Sequence, residues 1–245
     1  MEFDILFART FLIVWGMLVI TAIAAALNKS KKPFGLILSF IGLFGLLFIA
    51  MMFADKFPLN ILFVSLFAAF MGWIISPTIH GLWMRFKVKR FLKERDIVLE
   101  KDEELTEKQA IELEEYLNDT KGDEEWNKVV AQAMFSTAMA VIATASLVFF
   151  SDIDFSFMWM FLFIALIILI IMWLLNAFVF KSRIFSLVKA YFGVLIFTGY
   201  LIYDFNTLEK MAWDESWSTA INLALNLYLD IINLFLYILE ILSEG

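Results

Sequence analysis

The stretch Thr219–Leu242, TAINLALNLYLDIINLFLYILEIL, decides how the rest of the chain is read. As a helix its residues extend about 36 Å at ~1.5 Å each, enough to cross a hydrocarbon core of ~30 Å. Most are Leu, Ile, Ala or Tyr, yet Asn222, Asn226, Asp230, Asn233, Tyr237 and Glu240 recur through them. At ~100° per residue from Asn222 they fall at roughly 0°, 40°, 80°, 20°, 60° and 0°, one narrow face. A carboxyl at mid-membrane costs a few kcal/mol, so Asp230 is expected to face the protein interior or a wet cavity. The remaining helices must supply the wall opposite this stripe.

Working outward, the composition is that of a membrane protein: 62% hydrophobic residues and a mean hydropathy of +0.83. Seven apolar runs, near 10–27, 34–54, 59–83, 129–151, 157–180, 184–204 and 219–242, predict an all-α polytopic fold with seven transmembrane helices around a central C-terminal one. Residues 1–83 hold spans one to three, and 129–245 hold spans four to seven of the same membrane domain. Met1–Arg9 carries Glu2 and Asp4 against Arg9, a poor signal-peptide start, so the first span is expected to be retained. Gly35, Gly42 and Gly45 in span two suit close helix contact, and Gln132, Ser136 and Thr144 in span four are candidates for a polar wall. Lys189 in span six lies at the level of Glu240, so the two are a candidate pair. The chain has no cysteine, which excludes disulfides and thiolate chemistry, and its net charge of −7 is no argument for nucleic acid, so no nucleic-acid partner is expected.

Residues 84–128 break the apolar pattern with ten Lys/Arg and fourteen Asp/Glu. Arg85, Lys87, Lys89, Arg90, Lys93 and Arg95 crowd its membrane-proximal end, with Phe86, Phe91 and Leu92 among them. That mixture predicts a helix leaving span three along the headgroups. Thr106-Glu107-Lys108-Gln109 has capping-box spacing, Ala110, Leu113 and Leu117 share a face, and Asn118–Gly122 ends the segment. A helical hairpin outside the bilayer is expected. One side of the membrane collects Arg9, Lys56 and Lys210; the other collects Lys29, Lys31, Lys32, the insertion's cations, Lys181 and Arg183. That asymmetry puts the insertion in the cytoplasm and the N-terminus outside, in the plasma membrane if the source is prokaryotic.

Gly199-Tyr200-Leu201-Ile202-Tyr203-Asp204 and Leu227-Tyr228-Leu229-Asp230-Ile231-Ile232-Asn233-Leu234-Phe235 together resemble the C-terminal signature of the Bax-inhibitor family of transmembrane proteins. Pro58-Leu59-Asn60, Ile75-Ser76-Pro77 and Asp154-Phe155-Ser156 extend the likeness upstream. The resemblance implies seven helices about a central C-terminal one, and its bacterial calcium-leak branch implies a pH-sensitive calcium leak channel. The family's paired aspartates map onto Asp204 and Asp230, and Lys56 is the available counter-ion. Phe205-Asn206 stands where the family has Thr-Gln, and span two lacks the family's acidic residue. Bacterial relatives imply an N-terminus inside, against the charge count.

Two carboxyls from adjacent helices in a poorly solvated site cannot both ionise cheaply, so the pair is expected to share a proton near neutral pH. Loss of that proton opens the latch and offers oxygen ligands to calcium, transiently at Asp204 and Asp230, with Asn222, Asn226, Asn233, Tyr237 and Glu240 lining the way. Calcium is then the transported ion, protons and the lipid bilayer are the other partners, and no cofactor is held permanently. The alternative is a non-conducting regulator of a membrane protease or other membrane proteins, docking through 84–128. No enzyme is expected: H-E-x-x-H and G-x-S-x-G are missing, and His80 is the single histidine.

Overall fold

The structure, a computed structural model, describes residues 5–28, 35–97, 105–119 and 121–244. Glu2 and Asp4, the basic turn 29–33, residues 98–104 of the insertion, and Thr120 lie outside the described residues. Eight α-helices follow: α1 (Ile5–Leu27), α2 (Leu36–Met52), α3 (Leu59–Glu94), α4 (Glu107–Asn118), α5 (Lys121–Phe149), α6 (Met158–Leu175), α7 (Arg183–Lys210) and α8 (Trp217–Ser243). Among the described residues six helices are long and apolar enough to cross a membrane. The expected second span is the exception. Its helix α2 has 17 residues and reaches only about 26 Å at ~1.5 Å per residue.

α8 is the axle, packed against α1, α2, α3, α5 and α7. Asp214 and Ser216 fix its start: Ser216 Oγ accepts from the Thr219 N–H, and Asp214 accepts from the Ser216 N–H and the Thr219 hydroxyl. Those donors hold the Asp214 carboxyl below the usual carboxylate range, Thr219 contributing most. Opposite the polar stripe, fully buried Tyr228 donates to Thr21 Oγ1 at 2.6 Å, and Thr21 in turn donates to the Ala68 carbonyl at 3.0 Å. This relay ties α8 to α1 and α3. Gly72 permits the approach of α1 to α3, because a Cβ there would sit 2.3 Å from the Thr21 carbonyl oxygen. Of the three span-two glycines only Gly42 faces a partner, the Phe70 ring; Gly35 and Gly45 meet open space. Tyr228→Phe should cost about 1 kcal/mol and Thr21→Val about 2, with the double variant losing less than the sum, read by thermal unfolding in detergent.

Three boundaries differ from expectation. α3 does not end at Trp83 but runs unbroken to Glu94, because Met84–Glu94 contains no glycine or proline and its Lys87 and Phe91, one turn apart, are buried on a shared face. It stops where Asp96 takes a left-handed φ of 51° and the Ile97 N–H returns to the Leu92 carbonyl. α5 begins at Lys121, eight residues ahead of the expected span, and α7 reaches Lys210, so the connection before α8 is shorter than 205–218. The capping box is as expected: Thr106 Oγ1 accepts from the Gln109 N–H while Gln109 Oε1 accepts from the Thr106 N–H.

The insertion is clasped to the bundle by Lys87. Its side chain is 1% exposed, and its ammonium donates to the carbonyls of Asp119 (2.8 Å) and Leu117 (3.3 Å) and pairs with Asp123 (2.9 Å). Trp83 Nε1 donates to the same carboxylate at 3.0 Å, and the ammonium lies 4.7 Å from the Trp83 ring centroid. Phe91 against Tyr116 (5.5 Å) completes the α3–α4 contact.

The charged groups separate by end. Arg9 lies over Trp217 and donates to the Glu215 carbonyl, while Lys210 pairs with Asp154 at 2.5 Å. The Lys210 ammonium and the Ser156 N–H hold the Asp154 carboxyl well below its ordinary range. At the opposite end Lys89 and Arg183 both reach Glu244 at the close of α8.

Candidate functional site

The stripe on α8 finds its wall in α7, which runs antiparallel to it. Asp230 is 6% exposed and Asp204 4%. The two buried carboxyls lie near enough to interact with each other. An ionised carboxylate only accepts, so a hydrogen bond between the two would need one proton held between them. Tyr200, one turn before Asp204, lies within electrostatic reach of both. No hydroxyl, amide or ammonium donor among the described residues reaches the enclosed Oδ2 of Asp230.

Beyond Asp230 the stripe continues toward the α4 end. Asn233 donates to its own helix at the Leu229 carbonyl (2.8 Å), which leaves its side-chain oxygen for the seam. The Tyr237 ring stacks on Phe197 at 5.9 Å and lies where a Cβ on Gly193 would come within 2.5 Å, so only glycine admits it. Glu240 then pairs with Lys189 at 3.4 Å and accepts from the Ser186 hydroxyl. In the other direction Asn226, about one turn from Asp230, is exposed, so protein does not cover the seam there. Asn222, a further turn on, is half-buried with an enclosed, unpartnered Oδ1.

Several expected residues stand elsewhere. Lys56 is exposed, its ammonium 5.0 Å from the Phe53 ring centroid, and it forms no ion pair with either aspartate among the described residues. Gln132 and Ser136 are exposed, and Thr144 donates to the Ala140 and Val141 carbonyls of its own helix, so they add no polar wall. His80 stacks on Trp83 at 4.9 Å beside a cleft of about 610 Å³ near the insertion, apart from the seam. Two residues that pattern reasoning left unassigned matter. Ser186 anchors Glu240. Asn206 is 2% exposed, accepts from the Phe155 N–H (3.1 Å) and donates to Ser156 Oγ (3.3 Å), joining the Asp154-Phe155-Ser156 turn to the helix that carries Asp204. Its place just after Asp204 in the motif was the available signal.

Comparison with known proteins bears on this half of the chain. Residues 123–245 match the profile of the family described as "Inhibitor of apoptosis-promoting Bax1". The "Golgi anti-apoptotic protein" of Vaccinia virus (strain Lister) is 42% identical over 115 residues, 47% of each chain. "Bax inhibitor 1" of Schizosaccharomyces pombe is 32% identical over 117 residues, 47% of this chain and 42% of that one. "Protein LIFEGUARD 1" of Arabidopsis thaliana is 36% identical over 121 residues, 48% and 50%. The chain thus spans about half the length of the curated relatives it matches.

Proposed function

The chain belongs to the Bax-inhibitor family of membrane proteins, and on that premise we propose that it is a pH-sensitive calcium leak pathway gated by Asp204 and Asp230. The observation that carries this reading is the pair of buried, neighbouring carboxyls at the seam between α7 and the axle. With one proton the pair holds α7 against α8. Without it, two like charges in a poorly solvated seam repel, which favours parting the helices locally. The same two carboxylates then offer hard oxygens to calcium, joined by the side-chain oxygens of Asn226 and Asn233.

Among the described residues no third Asp, Glu or His joins the pair. Two carboxylates fall short of the roughly six to eight oxygens of a firm calcium site, so an ion would visit and leave. No bond is made or broken in such an act, and no resident cofactor enters it. "Anti-apoptotic" in a relative's name states a cellular outcome; the molecular act we propose beneath it here is the leak. By charge asymmetry the end carrying α4 is the cytoplasmic one. Calcium efflux from proteoliposomes measured against pH tests the proposal: flux that rises with pH supports it, and the absence of calcium flux at every pH rejects it.

One observation favours a second reading, a regulator docking through the insertion. α4 presents Ile111, 60% exposed, among Glu107, Glu114 and Glu115 on a helix that Lys87 holds in place. In a leak pathway Ile111→Glu should leave calcium flux within about twofold, because α4 packs on α3 rather than on the α7–α8 seam. In a non-conducting regulator no flux exists to preserve, and the same change should abolish cross-linking to its membrane partner.

A further inference from the structure

We infer that Lys189 and Glu240 form a charge valve in series with the aspartate pair, setting how readily a divalent cation passes the α4 end of the seam. This rests on the conduction reading above and deepens it. Glu240 lies ten residues beyond Asp230 on the same stripe, about 15 Å along the axis at ~1.5 Å per residue. Lys189 meets it from α7 at 3.4 Å, with side-chain exposures of 10% and 14%. Taking two charges this far out of water carries a desolvation penalty that an apolar pair would avoid, so the seam bears a cost that packing alone does not require.

The surroundings hold the pair in one arrangement. Ser186 donates to one oxygen of Glu240, and the Lys189 ammonium lies 5.6 Å from the Tyr237 ring centroid. Tyr237, seated on Gly193 and stacked on Phe197, separates this station from the aspartates. Lys89 and Arg183 converge on Glu244 at the same end. Among the described residues a divalent cation there meets Lys89, Arg183 and Lys189, with Lys93 near Lys89, against Glu240 and Glu244. While Lys189 neutralises Glu240, the station repels calcium. Freed of Lys189, Glu240 becomes a ligand.

The signs of the two neutral variants separate a valve from a structural ion pair. Lys189→Met leaves a free carboxylate and should raise calcium flux about tenfold. Glu240→Gln leaves an unpaired ammonium, keeps an acceptor for Ser186, and should lower flux at least about fivefold. Because an electrostatic barrier scales with ion charge, the fold-change for calcium should approach the square of that for potassium. The charge-reversed pair Lys189→Glu with Glu240→Lys should return flux toward wild type.

The experiment uses the purified full chain in liposomes with calcium- and potassium-sensitive dyes, and checks each variant for monodispersity and thermal unfolding. Lys189→Gln replaces Lys189→Met if the latter does not fold. Changes of the same sign in both variants, or of equal size for both ions, overturn the valve while leaving conduction intact. A wild-type protein without calcium flux overturns both.

Discussion

Asp230→Asn should flatten the pH dependence of calcium flux while leaving the fold intact. On the proposed gate, raising the pH of the wild type should remove a proton shared by Asp204 and Asp230, so flux should rise with pH. A single proton limits that rise to about tenfold per pH unit, since one unit is worth about 1.4 kcal/mol. An asparagine amide donates to the Asp204 carboxylate at every pH, as the protonated acid does at low pH, and its near-identical volume leaves the packing around α8 unchanged. The variant should therefore stay at the low-pH flux of the wild type, varying less than about twofold between pH 6 and 8. Asp204→Asn should behave the same way, because the latch needs one donor and one acceptor and is indifferent to which helix carries the donor. A variant that folds and keeps the wild-type pH profile would remove the aspartate pair from the gate.

The proximity of Asp204 and Asp230 was legible in the sequence because two regularities coincide on it. The helical period places Asp230 on the stripe with Glu240, and the motif ending in Asp204 supplies a second acid on the preceding helix. The Lys189–Glu240 pair was legible for a related reason: in antiparallel neighbours, residues near the start of one helix meet those near the end of the next. What hydropathy could not give was where helices stop. The cations after Trp83 end the apolar run but not the helix, since arginine and lysine propagate a helix well and Met84–Glu94 holds no breaker. Lys56 was misjudged as a counter-ion for a different reason. Proximity to a helix end in sequence says nothing about which neighbour that end faces, and α2 contributes little to the wall around α8 compared with α7. Counting charges also hid Lys87. In a segment with ten Lys and Arg, nothing in the order of residues marks the one that folds inward.

That inward lysine carries the other large effect: Lys87→Met should loosen the insertion and destabilise the protein by about 2–4 kcal/mol. The stem is buried against Gly122, where an added Cβ would lie 2.8 Å from Lys87 Cε, and methionine fills most of that volume. The loss is therefore mainly polar. The Leu117 and Asp119 carbonyls at the end of α4 lose their ammonium donor, and the Asp123 carboxylate loses its partner while keeping Trp83. Asp123 is 43% exposed, so water takes up part of its loss, and Asp123→Asn should cost only about 1 kcal/mol. Gly122→Ala should fall between the two, because three acceptors pin the end of the lysine that would have to yield. Limited proteolysis gives the sharper readout: Lys87→Met should expose the chain between α4 and α5 to cleavage at least tenfold faster, while the α7–α8 seam and its flux respond little. Unchanged cleavage would mean that the Phe91–Tyr116 contact and the capping box of α4 hold the insertion without the clasp.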